Sequence, residues 1–318
     1  TNKAMKQETQ MIGGTKGSHI IVNHPELLQA LDANMIYYEN PEGRVCILYP
    51  FMGNVLIGST DIPVDDPAEA LCSPEEIDYI MESVASVFPD IEIKKSDIVF
   101  QYCGVRPLPR SNSKFTGRIS RAHSCRITDA DEQNHFKTYS MIGGKWTTFR
   151  GFADEVTEQV LAELNKKRQS TTEDIAIGGG LEFPRTDEAC QQWLENLHGK
   201  TDIALDRLQI LLERYGTIAS TVADYISAET DSPLETLPEY SVRELEYIMK
   251  FERVMHLDDI VLRRTSIAIR GLLDSTVLNE ISQIAQTVFD WSDSDTLDEL
   301  KHCKDSLEKH HGIQFSGD

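Results

Sequence analysis

The chain has 318 residues, 40% of them hydrophobic and 26% charged, the make-up of an ordinary soluble globular protein long enough for two domains. Its 52 acidic against 31 basic residues give a formal net charge of −21, which excludes nucleic acid as a partner because a phosphate backbone requires basic surface. No run approaches the roughly 18 apolar residues of a membrane span, and the cysteines form no C-x-x-C pair, so buried free thiols in a reducing compartment are expected.

Residues 1–17 are polar with a glycine-rich exit and lead into a predicted strand at 18–22. Strand signals follow at 35–38, 44–49 and 54–59, separated by turns such as Asn40-Pro41-Glu42-Gly43, and such close spacing predicts an antiparallel sheet. Ser73-Pro74-Glu75-Glu76 has an N-cap, a proline at the first helical position and acids in the first turn. The helix it opens should run to about Phe88 and bury Ile77, Ile80, Met81, Val84 and Val87. Residues 98–105 form a continuous apolar and aromatic strand that delivers Arg106 at its end, where Pro107 and Pro109 fix the chain direction. A further strand pair, 118–127 and 136–142, is joined by the acidic loop 129–132.

The segment YSMIGGKWTTFR at 139–150 joins a strand end to a glycine pair, a lysine, two threonines and a helix start. Gly143 and Gly144 permit positive φ and close approach of another backbone or a flat ligand. Thr147 or Thr148 can cap a helix running to 167, whose apolar positions Phe149, Phe152, Ala153, Val156, Val160, Leu161 and Leu164 fall at helical spacing. Lys166, Lys167 and Arg168 suit its negative end. A strand, a Gly-Gly turn and a helix N-terminus leave free N–H groups that favour a phosphate, a carboxylate or an electron-rich ring oxygen. As a short motif alone, it reads equally well as a tight turn with Lys145 in solvent.

From about Gln169 the character changes. Gly178–Gly180 and Pro184 mark a linker, and helical patterns follow at 187–197, 203–215, 218–227, 242–251, 276–289 and 297–309. With no internal repeat, a compact bundle is preferred to a solenoid. Arg263-Arg264 after Asp258-Asp259 reads as a solvated, salt-bridged helix face. The histidines show no metal-like clustering beyond His310-His311 in a polar tail, so no metal site is expected. The fold class is therefore α+β: a mixed or antiparallel sheet at 1–168, a linker at 169–185 and an all-helical domain at 186–318.

GGKWTTFR at 143–150, KGSHIIV at 16–22, GSTD at 58–61, GVRPL at 104–108 and SRAH at 120–123 together resemble the FAD-dependent glycerol-3-phosphate dehydrogenases, and RYGT at 214–217 and LDDIVLRRT at 257–265 extend the resemblance more faintly. That family opens with a G-x-G-x-x-G turn for the ADP half of FAD; Gly13-Gly14-Thr15-Lys16-Gly17 lacks its spacing and Gly178–Gly180 is a bare glycine run. The expectation is a C-terminal portion of a longer enzyme, binding FAD poorly by itself and showing little activity. The resemblance implies oxidation of sn-glycerol 3-phosphate to dihydroxyacetone phosphate by hydride transfer to FAD, with a quinone or oxygen as electron acceptor. It also implies a cytoplasmic location with peripheral attachment to the inner face of the cell membrane; a homodimer is a further expectation. The alternatives are another amine- or alcohol-oxidase flavoprotein, and a noncatalytic helical interaction module.

Oxidising an alcohol that bears a phosphate needs a hydride acceptor, a proton acceptor and cations for the dianion. Arg106, Arg121 and Lys145 supply cations by type, and the resemblance assigns them the substrate site. Equally, Arg106 could pair with a surface acid, and the strand register around Arg121 is open. By resemblance the flavin ring lies against Gly143, Gly144, Lys145, Trp146, Thr147 and Thr148. His19 at a strand start would suit the proton acceptor, although a structural, hydrogen-bonded histidine fits there too. Thr60 lines the substrate side in this reading, and Asp61 caps the following turn.

Overall fold

The computed structural model describes residues 5–6, 9–40, 42–110 and 119–315; Pro41 and Arg118, which entered the sequence reading, lie outside the described residues. The chain divides into two units, Thr1–Asp174 and Ile175–Asp318.

The axis of the first unit is β1 (Ile12–Val22), six residues longer at its start than the apolar run alone indicates. Its extra length is held by β6 (Ile98–Pro109), which pairs with it antiparallel from Ile12↔Pro109 to Val22↔Ile98. On its other edge β1 changes partner: residues 19–22 pair with β4 (Asn54–Gly58) and residues 14–16 with β5 (Ile62–Val64). β3 (Val45–Phe51) and β2 (Ile36–Glu39) continue the sheet beyond β4, all antiparallel. Arg106 therefore sits inside β6 rather than at a strand end. Among the described residues β6 is an edge strand pairing with β1 alone, so the missing N–H groups of Pro107 and Pro109 interrupt nothing on its other side.

Strand alternation divides the sheet into two faces. Ile20 and Val22 of β1, with Leu48, Val55 and Ile57, pack a core against two helices, α1 (Pro25–Leu31) and α2 (Pro74–Val84). α1 escaped the sequence reading, though Pro25 at its first position and Leu27 and Leu31 one turn apart mark it; His24 Nδ1 caps it by accepting from Leu27 N at 3.2 Å. α2 opens on Ser73 with a full capping box and buries Ile80 and Val84, leaving Ile77 and Met81 half-buried; it stops at Val84, short of the expected Phe88, and Val87 lies in the turn beyond it. Gly17, His19, Tyr102 and Arg106 belong to the opposite face.

The hairpin β7 (Ser124–Thr128) and β8 (Thr138–Ile142) is shorter than the predicted pair. Beyond it one 3₁₀ turn, Trp146–Thr148, enters α3 (Phe149–Glu163). α3 stops before Lys166; Arg168 instead folds back onto it, donating to Glu158 and to Asp154 Oδ1 at 2.9 Å.

The second unit is helical: α4 (Asp187–Thr201), α5 (Leu205–Tyr215), α6 (Ala219–Ser227), α7 (Val242–Phe251), α8 (Ser275–Phe289) and α9 (Asp293–His311). Leu194, Leu208, Leu211, Val222 and Ile226 form one of its cores. RYGT lies at the end of α5, and all four residues are structural. Arg214 and Tyr215 donate to the fully buried carboxylate of Glu244, at 3.0 and 2.7 Å. Gly216 packs against Gly179, and Thr217 N donates to Gly179 O at 2.9 Å. Arg263 bridges Asp259 at 2.8 Å and Asp258 at 3.1 Å; the salt bridges read from the sequence are present, but Asp258 is buried and only the arginine is exposed. All six cysteines are free. Among the described residues no helix is long and apolar enough to cross a membrane, and no cluster of potential metal ligands occurs.

Candidate active site

Where β1 passes from β4 to β5, the link Ser59-Thr60-Asp61 lies opposite Gly17 and Ser18. Arg106 reaches this link from β6. Its Nη1 donates to Thr60 O at 3.3 Å and to Asp61 Oδ1 at 3.2 Å, and its Nη2 to Ser59 Oγ at 3.2 Å. The guanidinium crosses β1 at Gly17, where a Cβ would stand 2.5 Å from Cζ; only glycine leaves that path open. Asp61 thus has a role across the sheet as the partner of Arg106. Its carboxylate is buried and lies between Arg106 and Arg44, the latter at 3.6 Å.

His19 has a seat of the same kind. A Cβ on Gly58, its partner across β4, would lie 2.6 Å from Nε2. On the other side the ring stacks on Tyr102, its partner on β6, at 5.1 Å and 8°. Nδ1 is buried with no hydrogen-bond partner among the described residues. Burial, and then the nearby Arg106 charge, lower the pKa of His19 to about 4, so the imidazole is neutral at physiological pH.

Glu76 holds the arrangement from behind the sheet. Only 3% exposed, it accepts from Lys16 Nζ (2.6 Å), Ser18 Oγ (2.8 Å), Thr60 Oγ1 (2.6 Å) and Ser73 N (3.0 Å). Burial pushes its pKa up, yet these donors together hold the carboxyl below its usual range. Thr60 is therefore occupied: its hydroxyl also accepts from Ser18 N at 2.9 Å. What it offers Arg106 is its carbonyl, and its side chain lines a separate recess of about 280 Å³ with Arg44, Asp61 and Tyr79.

In front of the sheet a cavity of about 700 Å³ gathers His19, Arg106, Arg121, Gly143, Gly144, Lys145 and Trp146. Gly143 and Gly144 have φ of +71° and +96°, and a Cβ on Gly143 would approach Ala122 O to 2.9 Å. Trp146, 91% exposed, Phe149 and Met141 give the cavity an apolar rim. Three cations, an open glycine turn and exposed flat side chains suit a planar ring with polar oxygens beside an anionic group, so these residues fit a flavin with its substrate. Thr147 is exposed and outside the cavity. Thr148 donates its hydroxyl to Lys145 O at 3.1 Å and lines an adjoining recess with Arg121, His123 and Lys145.

The structure thus brings together His19, Arg106, Arg121, Lys145 and the glycine pair, and sets Thr60 and Thr147 apart. Sequence reasoning missed Asp61 as the partner of Arg106, Gly17 and Gly58 as side-chain seats, and Tyr102. The period-2 pattern of residues 98–105 places Tyr102 on the face of Arg106, a signal that was available.

Comparison with known proteins gives matches along most of the chain. The family model described as FAD dependent oxidoreductase matches residues 2–159, and that described as C-terminal domain of alpha-glycerophosphate oxidase matches residues 170–296. The glycerol-3-phosphate dehydrogenase of Synechocystis is 28% identical over 97% of this chain and 54% of its own length. The aerobic glycerol-3-phosphate dehydrogenase of Bacillus subtilis is 26% identical over 79% of this chain and 45% of its own. The chain spans about half the length of the relatives it matches. In fold it resembles the crystal structure of the Bacillus halodurans glycerol-3-phosphate dehydrogenase complexed with FAD, with a TM-score of 0.73 and 21% identity over 93% of this chain and 57% of that one.

Proposed function

We propose that this chain, whose residues 2–159 match the family model described as FAD dependent oxidoreductase, supplies the substrate side of a flavin-dependent glycerol-3-phosphate dehydrogenase, oxidising sn-glycerol 3-phosphate to dihydroxyacetone phosphate. The observation that carries this reading is the single cavity in which His19, Arg106, Arg121 and Lys145 meet the Gly143-Gly144 turn. In this reading residues 1–168 bind substrate and contact the flavin, 169–185 link, and 186–318 form the helical domain.

Bound FAD supplies the two-electron acceptor for the hydrogen leaving C2. The residues of this chain hold the substrate and move its proton. His19 is neutral at physiological pH and is the proton acceptor for the C2 hydroxyl. Arg106, fixed beside it, donates to the oxygen as it becomes a carbonyl. Arg121 and Lys145, both exposed on the cavity wall, take the phosphate dianion, arginine as a fork and lysine as a point charge. Gly143, Gly144 and Trp146 would hold the flavin, and Lys145 and the start of α3 would supply positive potential to it. A quinone or oxygen accepts the electrons in turn. Peripheral membrane attachment and a homodimer belong to the same proposal.

The test is the visible absorbance of the chain extended to the length of its relatives and loaded with FAD, followed on anaerobic addition of glycerol 3-phosphate. Bleaching that disappears with Arg106→Ala and Lys145→Ala supports the reading. Flavin that stays oxidised with glycerol 3-phosphate but bleaches with an amine or another alcohol overturns it.

A further inference from the structure

Arg106 is held more tightly than a substrate-binding cation requires. Three acceptors on consecutive residues, Ser59 Oγ, Thr60 O and Asp61 Oδ1, take its Nη groups at 3.2–3.3 Å. Two of these are neutral, and the charged one is nearly inaccessible: the Asp61 side chain is 4% exposed against 25% for that of Arg106. The other oxygen of Asp61 faces Arg44 Nη1 at 3.6 Å, so one carboxylate lies between two guanidiniums. The link that carries these acceptors is itself fixed, since Glu76 grips the Thr60 hydroxyl at 2.6 Å and the neighbouring Ser18 at 2.8 Å.

We propose that Asp61 is the positioning residue for Arg106: it locks the guanidinium across Gly17 before substrate arrives, with Arg44 as the countercharge that keeps the carboxylate in place from behind. The inference deepens the reading of Arg106 as a substrate-binding residue and rests on it. A free arginine would meet a phosphate dianion as a mobile counter-ion. An arginine tied to a buried carboxylate works as an oriented donor, which suits an oxygen that changes from hydroxyl to carbonyl.

The test uses the full chain labelled with nitrogen-15, reading the arginine side-chain signals by NMR; those of Arg106 are identified by their loss in Arg106→Lys. Slow rotation of the guanidinium should give Arg106 separate Nη signals in the wild type. Asp61→Asn, which keeps size and an acceptor but removes the charge, should merge them. Arg44→Gln, which removes the countercharge and leaves the direct partner, should broaden them, but less than Asp61→Asn does. Asp61→Glu keeps the charge but displaces it, should also disturb the signals, and serves if Asp61→Asn does not fold. Calorimetry with glycerol 3-phosphate should show affinity roughly tenfold weaker in Asp61→Asn, as expected for losing a charge-assisted contact. Unchanged Arg106 signals in a folded Asp61 variant would overturn the proposal. Signals that merge while neither wild type nor variant binds glycerol 3-phosphate would support the positioning role and sink the substrate reading instead.

Discussion

At the scale of single residues, the site depends on side chains that are absent. Gly17 and Gly58 were legible in the sequence only as letters of KGSH and GSTD. Their purpose was not, because the groups they admit, Arg106 and His19, come from other strands and meet them only through the register of β1. Gly17→Ala should expel the Arg106 guanidinium and weaken glycerol 3-phosphate binding by at least about tenfold in calorimetry, the loss of one charged contact, while the chain stays folded. His19 makes a second prediction, for pH. Its folded pKa of about 4 lies below the ordinary 6.5, so the unfolded chain takes up the proton first. Its contribution to stability is complete above pH 6.5 and is lost as the pH falls towards 4, by about 3 kcal/mol in all. Denaturant unfolding at pH 7.5 and 4.5 should show His19→Asn losing less stability than the wild type by an amount of that order. Equal losses would contradict the burial of the imidazole.

At the scale of elements, the turns and caps were the readable part, because they are written in neighbouring residues. Ser73-Pro74-Glu75-Glu76 announced α2, and α7 (Val242–Phe251) fell where its spacing put it. What local pattern could not convey is the second duty of Glu76, which caps its own helix and also anchors β1 and the Ser59–Asp61 link. Removing it by Glu76→Ala leaves Lys16, only 13% exposed, without its carboxylate and should cost about 3–5 kcal/mol, measured by urea unfolding. Glu244→Ala is the corresponding change in the second unit. It takes the buried carboxylate from Arg207 and Arg214, of which Arg214 keeps Glu239, and should cost about 3 kcal/mol, seen in the unfolding of the helical unit. β6 is the opposite case. Its two prolines read as a strand end by local rules, and only its place at the sheet edge among the described residues explains why the strand runs through them.

At the scale of the whole molecule, the change from strand patterning to helical periodicity made the division of the chain visible, since each unit buries its own apolar residues. Most residues from 164 to 186 are exposed, and limited proteolysis should cut there first, leaving two pieces that resist further digestion. Early cleavage within β1 or α5 instead would contradict two independently packed units. The fold class and the cations of the cavity were legible from motifs lying in one order along the chain. The pairings that hold those cations were not, because each joins segments far apart in sequence. The two glycine seats also constrain the history the molecule can have. A methyl group at position 17 becomes tolerable only after Arg106 has shortened, and one at position 58 only after His19 has. Shortening the large partner first leaves merely a void, so loss is easy in that order. Once the vacated glycine has drifted to a larger residue, restoring the arginine or histidine alone no longer rebuilds the site. A lineage that has taken both steps cannot return by reversing either change singly.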